Sequence, residues 1–346
     1  MTSLPNCHRA ATPRVSRSEG PNEEDVMKVF VAGATGAIGR QLVPLLVARG
    51  HEVVATTRSP EKTSAVRVMG AEPMVLDALD RAAVLDAVTR ARPEAVVHQA
   101  TALTGVFSLK HFSRTFEQTN RLRTIGTDNI VAAARAAGAR RVVAQGFAGW
   151  PYASGGHALR TEEDPFEHSP PEEMRSTVHA LRHLETAALS LEDLEGIVLR
   201  YGGFYGPGTS LGDGGAMVEG VWKRQLPIVG DGAGVTSFLH IEDAAAATVA
   251  ALERGAPGVY NVVDDEPAPS SEWVPELAKA VGAKPPRHVP VWLAKPLIGD
   301  AGVWLMTKAP GASNAKVKAE LGWNPRYASW RNGFREGLGV GSALSA

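Results

Sequence analysis

From residue 28 onward, short apolar runs rich in β-branched residues alternate with longer stretches whose apolar positions recur at helical spacing. The runs at 28–32, 52–57, 72–76, 95–99, 141–145 and 196–201 read as strands, and the stretches near 38–49, 81–92, 120–137 and 172–191 read as helices between them. Strands that are apolar on both faces and separated by helices belong to a parallel sheet covered on both sides. The pattern therefore predicts an α/β fold, a Rossmann-type doubly wound parallel sheet that holds its ligand beyond the carboxyl ends of the strands.

After Tyr201 the alternation breaks at Gly202-Gly-Phe-Tyr-Gly-Pro-Gly208, and six of the seven tryptophans lie beyond residue 200. This change of texture predicts a smaller C-terminal substrate-binding lobe in which the tryptophans serve as core. The expected organisation is a dinucleotide-binding domain over 27–201 and the lobe over 202–346, with some sheet elements interleaving. Residues 1–26 carry several prolines and arginines but no apolar run, so they are expected to form a disordered tail, with Met27 as an alternative start.

Composition narrows the classes of function. A formal charge of −1 offers no basic surface to nucleic acid, and no apolar stretch reaches the ~20 residues of a membrane helix. Cys7 is the sole cysteine, which excludes internal disulfides and cysteine-rich zinc sites and fits a reducing, cytoplasmic setting. No metal site is expected, and the natural partner is a small-molecule substrate.

The loop Gly33-Ala-Thr-Gly36-Ala-Ile-Gly39 follows the first strand and opens the first helix. In that context each glycine has a physical task. The first permits a tight turn, the second lets backbone approach a pyrophosphate, and the third lets helix and strand pack closely. Thr35, Ala37 and Ile38 complete the cradle, and the helix N-terminus supplies N–H donors. At the end of the second strand, Thr57-Arg58-Ser59 stands where a carboxylate would bind the ribose 2′-hydroxyl of NAD. Arg58, with hydroxyl donors on either side, suits a 2′-phosphate and predicts NADP. The alternative is NAD, with Glu61 at the ribose and Arg58 merely solvated.

Five further segments carry a family resemblance: Leu76-Asp77, Val96-Val-His-Gln-Ala-Thr101, Phe238-Leu-His-Ile-Glu-Asp-Ala244, Val259-Tyr-Asn-Val and Glu320-Leu-Gly-Trp-Asn-Pro325. Together with the glycine loop they resemble the extended or atypical short-chain dehydrogenases/reductases, the epimerase/dehydratase branch. The resemblance runs from about 28 to 338. It implies that Asp77 and Ala78 border the adenine, that Ala100 and Thr101 line the inner ribose, and that two copies pair through long helices near 107–137 and 172–191.

The chemistry of that family rests on a Tyr-x-x-x-Lys helix and a serine after the fifth strand. If Glu185 marks the register here, Thr177 takes the tyrosine position and Leu181 the lysine position; Ala144-Gln-Gly-Phe-Ala-Gly-Trp-Pro-Tyr152 lacks the serine. Candidate proton donors are then Tyr152 on the fifth-strand loop and His179, which shares a helix face with His183. Tyr205, after the sixth strand, is a candidate contact to nicotinamide or substrate. The implied activity is an NADP-dependent oxidoreductase that reduces a carbonyl or activated double bond. The alternatives are a sugar-nucleotide epimerase/dehydratase and a non-catalytic NADP sensor.

Overall fold

The computed structural model describes residues 26–103, 108–155 and 159–339, so the tail over 1–25 lies outside the described residues. Seven parallel strands form the central sheet: β1 Lys28–Ala32, β2 Glu52–Thr57, β3 Glu72–Val75, β4 Ala95–His98, β5 Arg141–Phe147, β6 Glu195–Tyr201 and β7 Gly258–Val262. Their spatial order is β3-β2-β1-β4-β5-β6-β7. The chain thus starts in the middle of the sheet, winds to one edge, returns past β1 and winds to the other. The doubly wound fold expected from the alternation is present, with the strand ends within two residues of the expected ones.

Side-chain alternation explains why both faces are covered. On β1, Val29 and Val31 face a core with Leu42, Leu46 and Ile241, whereas Phe30 and Ala32 face a second core with Val84, Val88 and Ile130. Helices Gly39–Ala48 and Ile241–Arg254 cover the first face. Helices Arg81–Ala91, Phe112–Arg121, Thr127–Ala136 and Glu172–Leu189 cover the other. The helix expected over 120–137 begins eight residues earlier, because Phe112, Phe116 and Thr119 form a buried stripe within an otherwise polar segment. Residues Leu122–Gly126 form a π-helical turn between its two halves.

Beyond Tyr201 the chain builds a lobe around Tyr205, Phe238, Trp273, Trp330 and Phe334. Helix Ile241–Arg254 and β7 leave that lobe and rejoin the sheet, where β7 pairs with β6 from Gly258↔Ile197 to Val262↔Tyr201.

One arginine fastens the amino-terminal edge of the sheet, opposite the ligand loops. Arg141 donates Nη1 to the carbonyls of Ala251 (3.0 Å) and Leu252 (2.6 Å), and Nε and Nη2 to Glu195 Oε2 (2.9 and 2.6 Å). It satisfies terminal carbonyls of helix Ile241–Arg254 and joins that helix to β5 and β6. Arg141→Met is expected to cost about 1–3 kcal/mol of stability, since bonds involving a charged group are lost and the Leu252 carbonyl is orphaned, while Ala251 O keeps the Gly255 N–H. Chemical denaturation measures the loss, and dinucleotide affinity should not change.

Candidate active site

The glycine loop is shaped by backbone packed on backbone. Gly33 has φ +91°, and a Cβ there would lie 2.8 Å from the amide of Ala100 and the carbonyl of Gln99. A Cβ on Gly39 would lie 2.4 Å from the carbonyl oxygen of Ala34. Only glycine fits either place. The loop is held down by Ala34 N–H to Thr56 O (3.1 Å) and Gly33 N–H to Thr56 Oγ1 (3.3 Å). Thr35 and Thr57 bring their hydroxyls within 3.4 Å. No side chain caps helix Gly39–Ala48, and while the N–H groups of Gly36, Arg40 and Gln41 are taken by backbone carbonyls, those of Ala37, Ile38 and Gly39, which follow Thr35 and Gly36, are left for a ligand. The residues fit the pyrophosphate of a dinucleotide.

The neighbouring loops converge at the same edge of the sheet. Thr57 Oγ1 accepts from Ser59 N–H (3.2 Å), which turns the chain so that Arg58 points into solvent, with no hydrogen bond or ion pair among the described residues. Glu61 is drawn to its own backbone amide and to the Ser59 hydroxyl, which hold its carboxyl below the usual range. Asp77 is exposed and accepts from Leu79 N–H (3.0 Å), while Asn129 donates to the carbonyl of buried Ala78 (3.0 Å). Ala100 and Thr101 follow β4 half-buried, with the Ala100 amide beside Gly33.

The candidate proton donors do not gather at this edge. Tyr152 is wholly buried; its hydroxyl donates to Asn261 Oδ1 (2.5 Å) and accepts from Arg200 Nη1 (2.7 Å). Arg200 is in turn held by both carboxylate oxygens of Glu185, at 2.7 and 2.8 Å. Burial pushes the Tyr152 phenol up to about 12, so it stays protonated far above neutral pH. His179 stands exposed, two residues away from buried Thr177 and Leu181 on their helix, so it faces the other way. His183 instead meets Asp128 at 2.8 Å. Tyr205 is fully enclosed, with its hydroxyl pressed against Gly333, and burial drives its phenol strongly upward. It belongs to the aromatic core of the lobe, among Phe238, His240 and Phe334.

Thr177 is buried and accepts from Asn120 Nδ2 (3.0 Å), a residue absent from the candidates above. Arg123 and His98 were likewise missed, although both are buried, His98 at the end of β4 and Arg123 in the turn Leu122–Gly126. Arg123 sits in a polar stretch of sequence that looks solvated, and its burial follows from the packing of two helices that are distant in sequence. Burial lowers His98 to about 4, so its ring is neutral.

The enclosure of Tyr152 leads to a test. Tyr152→Phe should cost about 1–3 kcal/mol of stability, because Arg200 and Asn261 lose a buried partner. Turnover should fall by less than the ~10²-fold expected on loss of a general acid. The phenol's stabilising contribution is complete below its unfolded value of about 10 and disappears as pH rises through about 12. Denaturation of both proteins across that alkaline window reads it directly.

Comparison with known proteins agrees with this geometry. The model of the NAD dependent epimerase/dehydratase family matches residues 29–262. A 3-diazoavenalumate denitrifying reductase from a Streptomyces species is 47% identical over 309 residues, spanning 89% of this chain and 99% of that protein. A 2-alkyl-3-oxoalkanoate reductase from Stenotrophomonas maltophilia is 32% identical over 278 residues, 74% of this chain and 76% of that one. Among solved structures, UDP-glucose 4-epimerase from Thermotoga maritima, crystallised with UDP-glucose, superposes with a TM-score of 0.71 over 90% of this chain and 97% of its own, at 22% identity. With the glycine cradle, the seven-stranded sheet and these relatives in agreement, the chain belongs to the NAD dependent epimerase/dehydratase family, the extended branch of the short-chain dehydrogenases/reductases, and is an oxidoreductase of that branch.

Proposed function

We propose that the chain is an NADP-dependent reductase that delivers hydride to an electrophilic group of a small organic acid without a tyrosine–lysine pair. One observation carries this reading: the cradle is intact, yet the helix turn that would hold the pair carries Thr177 and Leu181, both buried and neither able to supply a proton at neutral pH. Such a site suits an acceptor that makes little demand for protein acid. The relative named as a denitrifying reductase points to an aryl diazo compound as that acceptor. The reduced dinucleotide, when bound, supplies a hydride; with an aryl diazonium the hydride adds, the C–N bond breaks, dinitrogen leaves and an aryl C–H bond remains, so atoms and charge balance without a proton from the protein. Reduction of a carbonyl or activated double bond needs one proton more, and water reaching the site would provide it.

Each residue's part follows from its position. Gly33, Gly36 and Gly39 with the uncapped helix start hold the pyrophosphate, and Ala100 and Thr101 flank the inner ribose. Asp77 and Ala78 border the adenine. Arg58, flanked by Thr57 and Ser59, takes the 2′-phosphate, and the engagement of Glu61 by its own amide supports NADP over NAD. The reading also pairs two copies through the outer faces of helices Phe112–Ala136 and Glu172–Leu189, where Ile125 and Leu189 are exposed.

NADPH oxidation is measured against an aryl diazonium acid, a 3-oxo acid, an enone and a UDP-sugar, with gas analysis for dinitrogen. Consumption matched by dinitrogen release from the diazo acid is expected, and NADPH binding without consumption of any acceptor would sink the reading in favour of a sensor. Arg58→Ala should weaken NADPH by about 10- to 100-fold, the loss of a charge-assisted contact, and leave NADH nearly unchanged. Equal losses for both would return the assignment to NAD.

A further inference from the structure

Four arginines are buried among the described residues, and three of them have a carboxylate partner. Arg141 meets Glu195 at 2.6 Å, Arg160 meets Asp164 at 3.2 Å and Arg200 meets Glu185 at 2.7 Å. Arg123 has none. Its residue is 3% exposed, and its Nε and Nη1 are buried without any hydrogen-bond partner. Around it stand the Phe116 ring, 5.9 Å from the guanidinium carbon, and neutral His98, whose Nδ1 is also unpartnered. Asn120 Oδ1, one helical turn earlier, is a further buried acceptor without a donor. A buried cation is stable only beside an anion, and the described chain provides no anion here.

Two contacts place this charge. Asn120 bonds to Thr177 at 3.0 Å and Asp128 meets His183 at 2.8 Å, fixing the register of two helices that both run back from the carboxyl edge of the sheet. Between those rungs, Arg123 is level with the turn around Leu181. Its guanidinium lies back toward Phe116, which is toward the start of its helix and therefore toward the edge where the cofactor loops converge. The positive charge missing at Leu181 is present on the opposing helix.

We propose that Arg123 is the anion-binding centre of the substrate site and pairs with a carboxylate carried by the substrate. This rests on the reductase reading for the word substrate, but not for the existence of the site. Charge complementarity of this kind admits acids and rejects their neutral analogues, because an ester that fills the same space leaves the guanidinium unpaired. Arg123 is a positioning residue: it fixes one end of the molecule so that the reducible end lies against the cofactor. Desolvation lowers the Arg123 guanidinium to about 10, in keeping with a cation held ready without its partner.

The test compares 4-hydroxycinnamate with its methyl ester, by calorimetry on the full chain with NADP⁺ present, in the wild type and in Arg123→Met and Arg123→Lys. The wild type should prefer the acid. Arg123→Met should lose about 10- to 100-fold of its affinity for the acid, keep its affinity for the ester and bind NADP⁺ as before. Arg123→Lys should recover part of the loss. The free Arg123→Met protein should melt no lower than wild type, since it no longer buries an uncompensated charge. Equal binding of acid and ester by the wild type, a loss of NADP⁺ affinity in Arg123→Met, or a variant that melts low or does not fold would each overturn the proposal. The last two would assign the guanidinium to a cofactor phosphate or to a partner within the chain. Binding needs no turnover, so a wild type that selects the acid yet oxidises no NADPH refutes the reductase reading alone, and one that oxidises NADPH while binding acid and ester alike refutes this inference alone.

Discussion

The close approach of the β1 loop to the end of β4 governs the whole carboxyl edge of the sheet. Gly33 turns against the peptide of Gln99 and Ala100, and Gly39 starts its helix against the carbonyl of Ala34. Because these contacts involve backbone alone, they set the height of the first helix above the sheet independently of any side-chain rotamer. The donors at that helix start are therefore presented rigidly, and the loops after β2, β3 and β4 are arranged around a fixed point. Preorganisation of this kind reduces the ordering cost of binding a flexible dinucleotide.

A second constraint holds the opposite half of the sheet. Glu185 and Arg200 form a paired, largely buried ion bridge, and Arg200 hands one N–H on to Tyr152, which reaches Asn261 on β7. The helix Glu172–Leu189, β6, the loop after β5 and β7 are tied by one chain of polar contacts. Such a network costs desolvation but fixes geometry, since any shift of one member strands the others. It explains why the Tyr152 hydroxyl is enclosed and fully partnered.

What could be read from the sequence divides along physical lines. The sheet was legible because alternation of apolar faces is local: the pattern at 28–32 contains the two cores that Val31 and Phe30 enter. The cofactor loop was legible because strand, glycines and helix are contiguous. Beyond these, local pattern fails. β7 was read only as a fragment of the C-terminal part, since its pairing with β6 joins residues some sixty positions apart. Tyr152 looked like an open acid because its loop follows a strand end, and its partners Arg200 and Asn261 come from distant strands. Arg123 offered no local sign at all, because burial of an arginine depends on which helix packs over it.

The π-helical turn at Leu122–Gly126 has a consequence for descent. There the Thr127 N–H reaches back five residues to the Leu122 carbonyl, so the helix holds one residue more than an α-helix of the same span. One residue corresponds to about 100° of rotation. The halves on either side are therefore out of phase: Phe116 and Asn120 turn toward helix Glu172–Leu189, while Ile130 and Ala134 turn toward the sheet. A lineage that lost that single codon would close the turn to ordinary α-helix, keeping both hydrophobic seams buried and redirecting only the side chains within Leu122–Gly126, Arg123 among them. Chemistry at this site could thus diverge by length change rather than substitution, through an event that leaves the rest of the fold untouched.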